Sequence, residues 1–177
     1  MRILKHLLYA LSIGFLTSCT GQPVVPLDTV QSVDITRYLG TWYEIASLPN
    51  KFQAMCVADT QAHYRQDGDG VAVRNRCRKS DGSVTEIHGV AKIVNGSGNA
   101  KLRVSFFRPF YGDYWILAID PAYGWVLVGE PRRKFAWVLA RKPSLDDATL
   151  NLAFDKAAKL GFPKEKFRLT PQNHSLE

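Results

Sequence analysis

The sequence predicts an all-β protein, an eight-stranded antiparallel up-and-down barrel with one C-terminal α-helix packed outside it. Three observations predict this. Eight short runs, at 41–48, 56–65, 71–79, 84–94, 100–107, 113–120, 124–130 and 135–142, alternate or are apolar throughout, as strands with a buried face do. Their joins include Gln-Asp-Gly-Asp-Gly, Ser-Asp-Gly and Asn-Gly-Ser-Gly-Asn, tight-turn compositions that fold successive strands back on one another into a closed sheet. After the last run comes one apolar stripe of helical period.

The chain opens MRILKHLLYALSIGFLTSC, with Arg2 and Lys5 ahead of an apolar run from Leu7 to Leu16. That run is too short to cross a bilayer as a helix and has the build of a secretory signal. Leu16-Thr17-Ser18-Cys19 resembles the lipobox of bacterial lipoproteins. The resemblance implies cleavage before Cys19, a diacylglyceryl group on its thiol and an acyl chain on the new amine. Residues 1–18 are thus expected to be a lipoprotein signal peptide. Residues 19–32 are expected to be an acylated cysteine and an extended tether, because 20–31 holds two prolines and no period. Several acyl chains anchor stably where one does not, and with Thr20 rather than Asp after the cysteine the resemblance implies sorting to the outer membrane of a Gram-negative envelope. The remainder, 33–177, is one domain's worth of chain. The formal charge of +7 falls to +5 when Arg2 and Lys5 leave with the signal, a balance that suits a soluble surface and also contact with anionic lipid head groups. An exported chain is not expected to meet nucleic acid, and the basic run at 74–79 reads as an exposed strand edge.

Among the joins, that at 49–55 is long and carries an apolar Phe52, which makes it the candidate lid. With Cys19 assigned to lipid, Cys56 and Cys77 remain, and an oxidising compartment favours pairing them. The turn signal at 66–70 lies midway between the two, so folding back there sets them nearly opposite, on the face of Ala58, Thr60, Ala62, Tyr64, Val71, Val73 and Asn75. Ser144 is placed to cap the helix, with Asp147 returning the hydrogen bond. Leu150, Ala153, Phe154, Ala157 and Gly161 form the stripe, Gly161 and Pro163 end the helix, and 167–170 is a final edge strand or a tail.

Trp42 follows a Gly-Thr pair at the head of the first strand, and Arg141 lies late in the eighth. Barrel closure makes those strands neighbours, so the indole can plug the closed end with the guanidinium stacked on it. The stretch from Asp34 through Gly40-Thr-Trp42-Tyr-Glu44, the Asp120-Pro-Ala-Tyr123 turn and Arg141 together resemble the three signatures of the lipocalins, in order and over about 33–170. With the lipobox, the chain resembles the bacterial outer-membrane lipoproteins of that family, relatives of apolipoprotein D. Pro121 stands where many lipocalins have Tyr, and the expected disulfide does not tie down the C-terminal tail.

The resemblance supplies strand phase. Trp42 and Arg141 inward carry Glu44 and Ala46, then Leu139, Trp137 and Phe135, to the same interior. Leu102, Val104 and Phe106 point in by alternation, and the resemblance adds Tyr114, Ile116 and Ala118. The expected ligand cavity is therefore lined by Ala46, Tyr64, Val104, Phe106, Tyr114, Ile116, Trp137 and Leu139, with Tyr114, Trp137 and Phe106 near the open end and Tyr114 or Arg108 meeting a head group. Gly40, Trp42, Asp120, Tyr123 and Arg141 are structural. The implied function is binding of a fatty acid, lysophospholipid or similar amphiphile, for lipid storage, scavenging or transport in the envelope. Partners are that lipid and the membrane through the acyl anchor, and a homodimer is left open. No cofactor or metal is expected, since His63, His88 and His174 stand in separate segments without ligand spacing, and the chain is not expected to be an enzyme. Two readings compete: a structural envelope lipoprotein with a filled barrel, and a lipocalin-type enzyme. Small inward residues Ala46, Ala58, Ala62, Ala91 and Ala118 count against a filled barrel.

Overall fold

The computed structural model describes residues 25–176; the signal, Cys19 and the first part of the tether lie outside them. Eight strands form the barrel: β1 (Gly40–Ser47), β2 (Cys56–Asp67), β3 (Gly70–Lys79), β4 (Val84–Ile93), β5 (Lys101–Phe107), β6 (Phe110–Ile119), β7 (Trp125–Gly129) and β8 (Ala136–Ala140). Each pairs antiparallel with the next, and β1 pairs with both β8 and β2, which closes the sheet. A short helix α1 (Ile35–Tyr38) precedes β1, α2 (Asp147–Lys159) follows β8, and β9 (Arg168–Leu169) pairs with β1. The β1–β2, β3–β4, β5–β6 and β7–β8 connections surround one end, the mouth. The other end is crossed by α1, whose Tyr38 is buried in the barrel interior beside Trp42.

The β5–β6 join is shorter than the sequence implies. Phe107 pairs with Phe110, so Phe110 and Tyr111 belong to β6 rather than to a turn. The helix begins later than expected, with Asp146 rather than Ser144 as its cap: its carboxylate accepts from the Thr149 N–H at 2.8 Å and the Thr149 hydroxyl at 2.8 Å. Its end is as the stripe implies. Gly161 has φ +84, and the Phe162 and Gly161 amides bond to Ala157 and Ala158, a Schellman closure.

The barrel wall separates two cores. Inside lie Trp42, Ala62, Tyr64, Val73, Ala91, Leu102, Ile116, Val126, Val128 and Leu139. Outside, under α2, lie Leu27, Ala46, Leu48, Ala118, Leu127, Val138, Ala153, Ala157 and Phe162. β7 is buried at every position, because Val126 and Val128 face the interior while Trp125 and Leu127 face the helix core. That is why its sequence is a continuous apolar run.

Two bulges correct the phase read from alternation. In β1, Glu44 pairs with Leu139 but Ala46 pairs with Val138, a register shift at Ile45. Ala46 therefore sits in the core beneath α2, not in the barrel. In β6, Ile116 pairs with Val128 but Ala118 pairs with Leu127, which turns Ala118 outward and brings Ile119, the partner of Val126, inward. A bulge adds one residue to one strand, and every side chain beyond it changes face.

β2 is bulged at Asp59, which has φ 55, and Ala58 pairs with Arg78, off the face that carries Ala62 and Tyr64. Cys56 and Cys77 still meet, joined in a disulfide with Cα atoms 5.5 Å apart. The C-terminal tail fills the gap where β1 and β2 part. Thr170 N–H donates to the Ile45 carbonyl, Asp59 N–H to the Pro171 carbonyl, and Gln172 Nε2 to the carbonyls of Glu44 and Thr60. The Asp59 carboxylate accepts from Arg78 Nε at 2.7 Å and from the Asn173 and His174 amides at 2.6 and 3.0 Å. Burial alone disfavours its charged form, yet Arg78 and those amides outweigh burial and hold the carboxyl below the usual range.

Candidate functional site

The interior is graded from floor to mouth. Trp42 is 0% exposed, donates Nε1–H to the Tyr38 carbonyl at 2.8 Å, and lies 3.9 Å below the Arg141 guanidinium. Arg141 also donates to the Thr41 carbonyl at 2.8 Å and the Arg37 carbonyl at 2.6 Å, tying β8, β1 and α1 together. Gly40, at φ +92, would place a Cβ 3.4 Å from Arg141 Nη1, so glycine suits both the backbone and the guanidinium here. Arg37 lies 4.1 Å over the Tyr123 ring and donates to the Pro121 carbonyl, while the Tyr123 hydroxyl accepts from the Asp34 N–H at 2.8 Å. Asp120 holds its turn through the Gly124 N–H at 2.9 Å. These residues seal the closed end.

Above the floor stands a phenol triad. The Tyr114 hydroxyl bonds to those of Tyr38 at 2.8 Å and Tyr64 at 2.9 Å. Tyr114 was expected at the mouth; its bond to Tyr38, the last residue of α1, places it deep. Burial raises all three phenols, Tyr64 to about 12 and the others well above their ordinary value, so they are neutral donors at any physiological pH. Three hydroxyl hydrogens serve two mutual bonds, which leaves one free to donate. Near them Asn75, opposite Ala62 and Ile87, has a buried Oδ1 without a partner.

Toward the mouth the inward side chains are only partly buried: Val104, Phe106 and Trp137. Ile116 and Leu139, expected beside them, are buried among wall side chains at 0% and 5% exposure. Gly89 makes room for Phe106, since a Cβ there would come within 2.6 Å of that ring.

The 49–55 connection, the expected lid, is latched. Gln53 accepts from Trp137 Nε1 at 2.9 Å and donates to Glu44 Oε2 at 2.7 Å; Glu44 also takes Ser47 Oγ at 3.0 Å and Thr170 Oγ1 at 2.6 Å. Phe52 meets the edge of Phe135 at 5.6 Å, and Phe135 stacks on Trp137 at 6.3 Å. Arg108 stands exposed in the β5–β6 connection at the rim. Sequence reasoning named none of Tyr38, Gln53 or Asn75 as site residues. The available signal was Glu44, an acid in an inward register, which needed a partner that only the loop and tail supply. Among the described residues no cluster of His, Cys, Asp and Glu is arranged to hold a metal.

The chain is 36% identical over 155 residues to temperature-induced lipocalin-1 of Arabidopsis thaliana, covering 83% of each. It is 35% identical over 170 residues to outer membrane lipoprotein Blc of Escherichia coli, covering 94% of this chain and 96% of that protein. Apolipoprotein D of Mus musculus matches at 31% over 90% of each chain. Insecticyanin from the tobacco hornworm Manduca sexta shares the fold, with TM-score 0.67 at 21% identity over 88% of this chain and 89% of that one. Residues 33–172 match the model of the lipocalin-like domain. With that match spanning most of the chain and relatives above 30% identity covered over most of their length, the chain belongs to the lipocalin family.

Proposed function

We propose that the chain is a lipoprotein, acylated at Cys19 and held at the outer membrane, whose barrel takes one fatty acid, lysophospholipid or similar amphiphile to store, scavenge or move it within the envelope. The observation that carries this reading is the gradient inside the barrel. Trp42, Ile116 and Val126 are fully buried in the lower barrel, whereas Val104, Phe106 and Trp137 keep exposed surface on inward faces nearer the mouth. Inward side chains keep surface only where they border space, and a mostly apolar space with few polar groups is the usual form of a small-molecule site. The relatives named outer membrane lipoprotein support the location.

Each buried acyl methylene contributes about 0.8 kcal/mol, less the loss of ligand freedom. The triad meets an acceptor oxygen with its free hydroxyl hydrogen, and Gln53 with Trp137 closes the entrance. Nothing in this reading requires bond-making groups in the barrel; the interior hydroxyls are neutral phenols held to one another, which suits holding a ligand rather than transforming it.

Native mass spectrometry of the mature protein purified from cells tests this. The expected result is one stoichiometric amphiphile, lost in Trp137→Ala and in Phe106→Ala, with acyl mass on Cys19. A protein that carries no ligand and takes up neither fatty acid nor lysophospholipid refutes the binding reading in favour of a filled barrel.

A further inference from the structure

We infer that the barrel stands mouth-down on its membrane, its rim in the head-group region of a bilayer rich in anionic lipid. The inference rests on the proposed acylation of Cys19 and adds an orientation to it.

The start of the described chain lies on the mouth side. The Val25 carbonyl accepts from Arg133 Nη2 at 2.8 Å, and Arg133, in the β7–β8 connection, also donates to the Leu160 carbonyl at the end of α2. From there the expected tether is not free. Leu27 is buried under α2, Val30 N–H donates to the Ile116 carbonyl, and Val33 N–H to Gly98 at the closed end. Only six residue steps separate Val25 from Cys19, and whatever their path they reach at most about 21 Å. The ten-residue strands β3 and β4, tilted as in other eight-stranded barrels, stand about 25 Å tall. Cys19 thus reaches a bilayer at the mouth with slack, whereas its backbone, even fully extended, stops short of the closed end.

The rim has the matching chemistry. Phe110, Phe107 and Phe52 are 77%, 72% and 64% exposed, and Met55 and Val84 are also exposed. All five lie in or beside mouth connections. Among the described residues no large exposed apolar side chain lies in the turns of the closed end. Exposed Lys51, Arg108, Arg132 and Lys134 lie in the mouth connections, where Asp81 is the one exposed acid among the described residues. Apolar groups ringed by cations are what an anionic interface retains, and aromatic rings suit that depth.

The test uses the full acylated protein in vesicles of phosphatidylethanolamine and phosphatidylglycerol with brominated acyl chains, which quench tryptophan on contact. Emission added by Phe110→Trp is expected to be quenched several-fold more than emission added by Asp69→Trp in the closed-end turn. Lys51→Glu combined with Arg108→Glu is expected to lower that quenching. Equal quenching at the two ends, or more at position 69, on protein whose mass shows acyl chains at Cys19, overturns the orientation alone. An unacylated Cys19 overturns the tether argument together with the anchoring reading, while ligand uptake by the same preparation is read separately.

Discussion

Replacing Arg141 by Met keeps the side-chain stem and removes the guanidinium that closes the barrel floor. Three interactions go with it: the stack 3.9 Å over Trp42 and the bonds to the Thr41 and Arg37 carbonyls. A partly buried cation over an indole contributes about 1 kcal/mol. The Thr41 carbonyl is half-buried and loses a charged donor, about 1.5 kcal/mol, whereas the exposed Arg37 carbonyl recovers water and loses about 0.5 kcal/mol. The sum is about 3 kcal/mol, which for a domain of this size lowers Tm by roughly 6–12 °C. Urea unfolding followed by tryptophan fluorescence measures it as a shift in midpoint at unchanged slope. Arg141→Lys retains a cation near the ring but loses the fork that serves two carbonyls, so it should recover less than half of the loss. The reasoning is refuted if Arg141→Met costs under about 1 kcal/mol, or if Lys restores full stability.

Tyr114→Phe removes the centre of the phenol triad and leaves two buried hydroxyls without partners, an expected loss of about 2 kcal/mol in the same urea assay; Tyr64→Phe, which frees only one bond, should cost less. In Gly89→Ala the new methyl drives the Phe106 ring into the space near the mouth and crowds the Ser105 carbonyl at 2.7 Å, costing about 1–3 kcal/mol and weakening fatty-acid binding measured by calorimetry. Reducing the Cys56–Cys77 bridge, which spans 21 residues, should lower stability by about 3 kcal/mol, read as a Tm difference with and without reductant. Asp59 is held below its unfolded pKa, so its contribution is present at neutral pH and is lost as pH falls through the folded value. Acidification should therefore speed hydrogen exchange at Asn173 and His174 before the barrel opens, and Asp59→Asn should show the same fast exchange at neutral pH with little further change on acidification.

The closed end was legible because its parts are set by composition and chain order. Gly40, Trp42, Asp120, Tyr123 and Arg141 each do a job that only that residue type does well: positive φ, a plug, a turn acceptor, a hydroxyl reaching the Asp34 amide, a planar fork. Barrel closure then fixes which strand meets which, so the Trp42–Arg141 stack followed from order alone. The mouth was less legible because its contacts come from loops and tail. Gln53, nine residues beyond Glu44, and Thr170, far along the chain, converge on one carboxylate, and no strand period relates them. Tyr114 was misplaced along the barrel axis for a related reason. Alternation tells which face a residue is on but not its depth, and depth is set by shear between strands and by α1 bringing Tyr38 up from the floor.

The alanines show how far a parity error propagates into function. Alternation alone predicts Ala46, Ala58, Ala62, Ala91 and Ala118 as small inward residues that leave room for a ligand. The bulges in β1 and β6 put Ala46 and Ala118 into the outer core that also holds Ala153 and Ala157 of α2, so their smallness says nothing about the interior. The bulge in β2 sets Ala58 opposite Arg78. Only Ala62 and Ala91 remain inside, Ala62 opposite Trp42 at the floor and Ala91 opposite Val104. Large side chains rather than small ones border space: Val104, Phe106, Tyr114 and Trp137 keep exposed surface on faces that point inward. A β-branched or aromatic side chain facing the middle of a barrel can stay partly exposed only where the opposite wall does not reach it. Those four side chains, with Gln53 bonded to Trp137, bound the space inside the barrel.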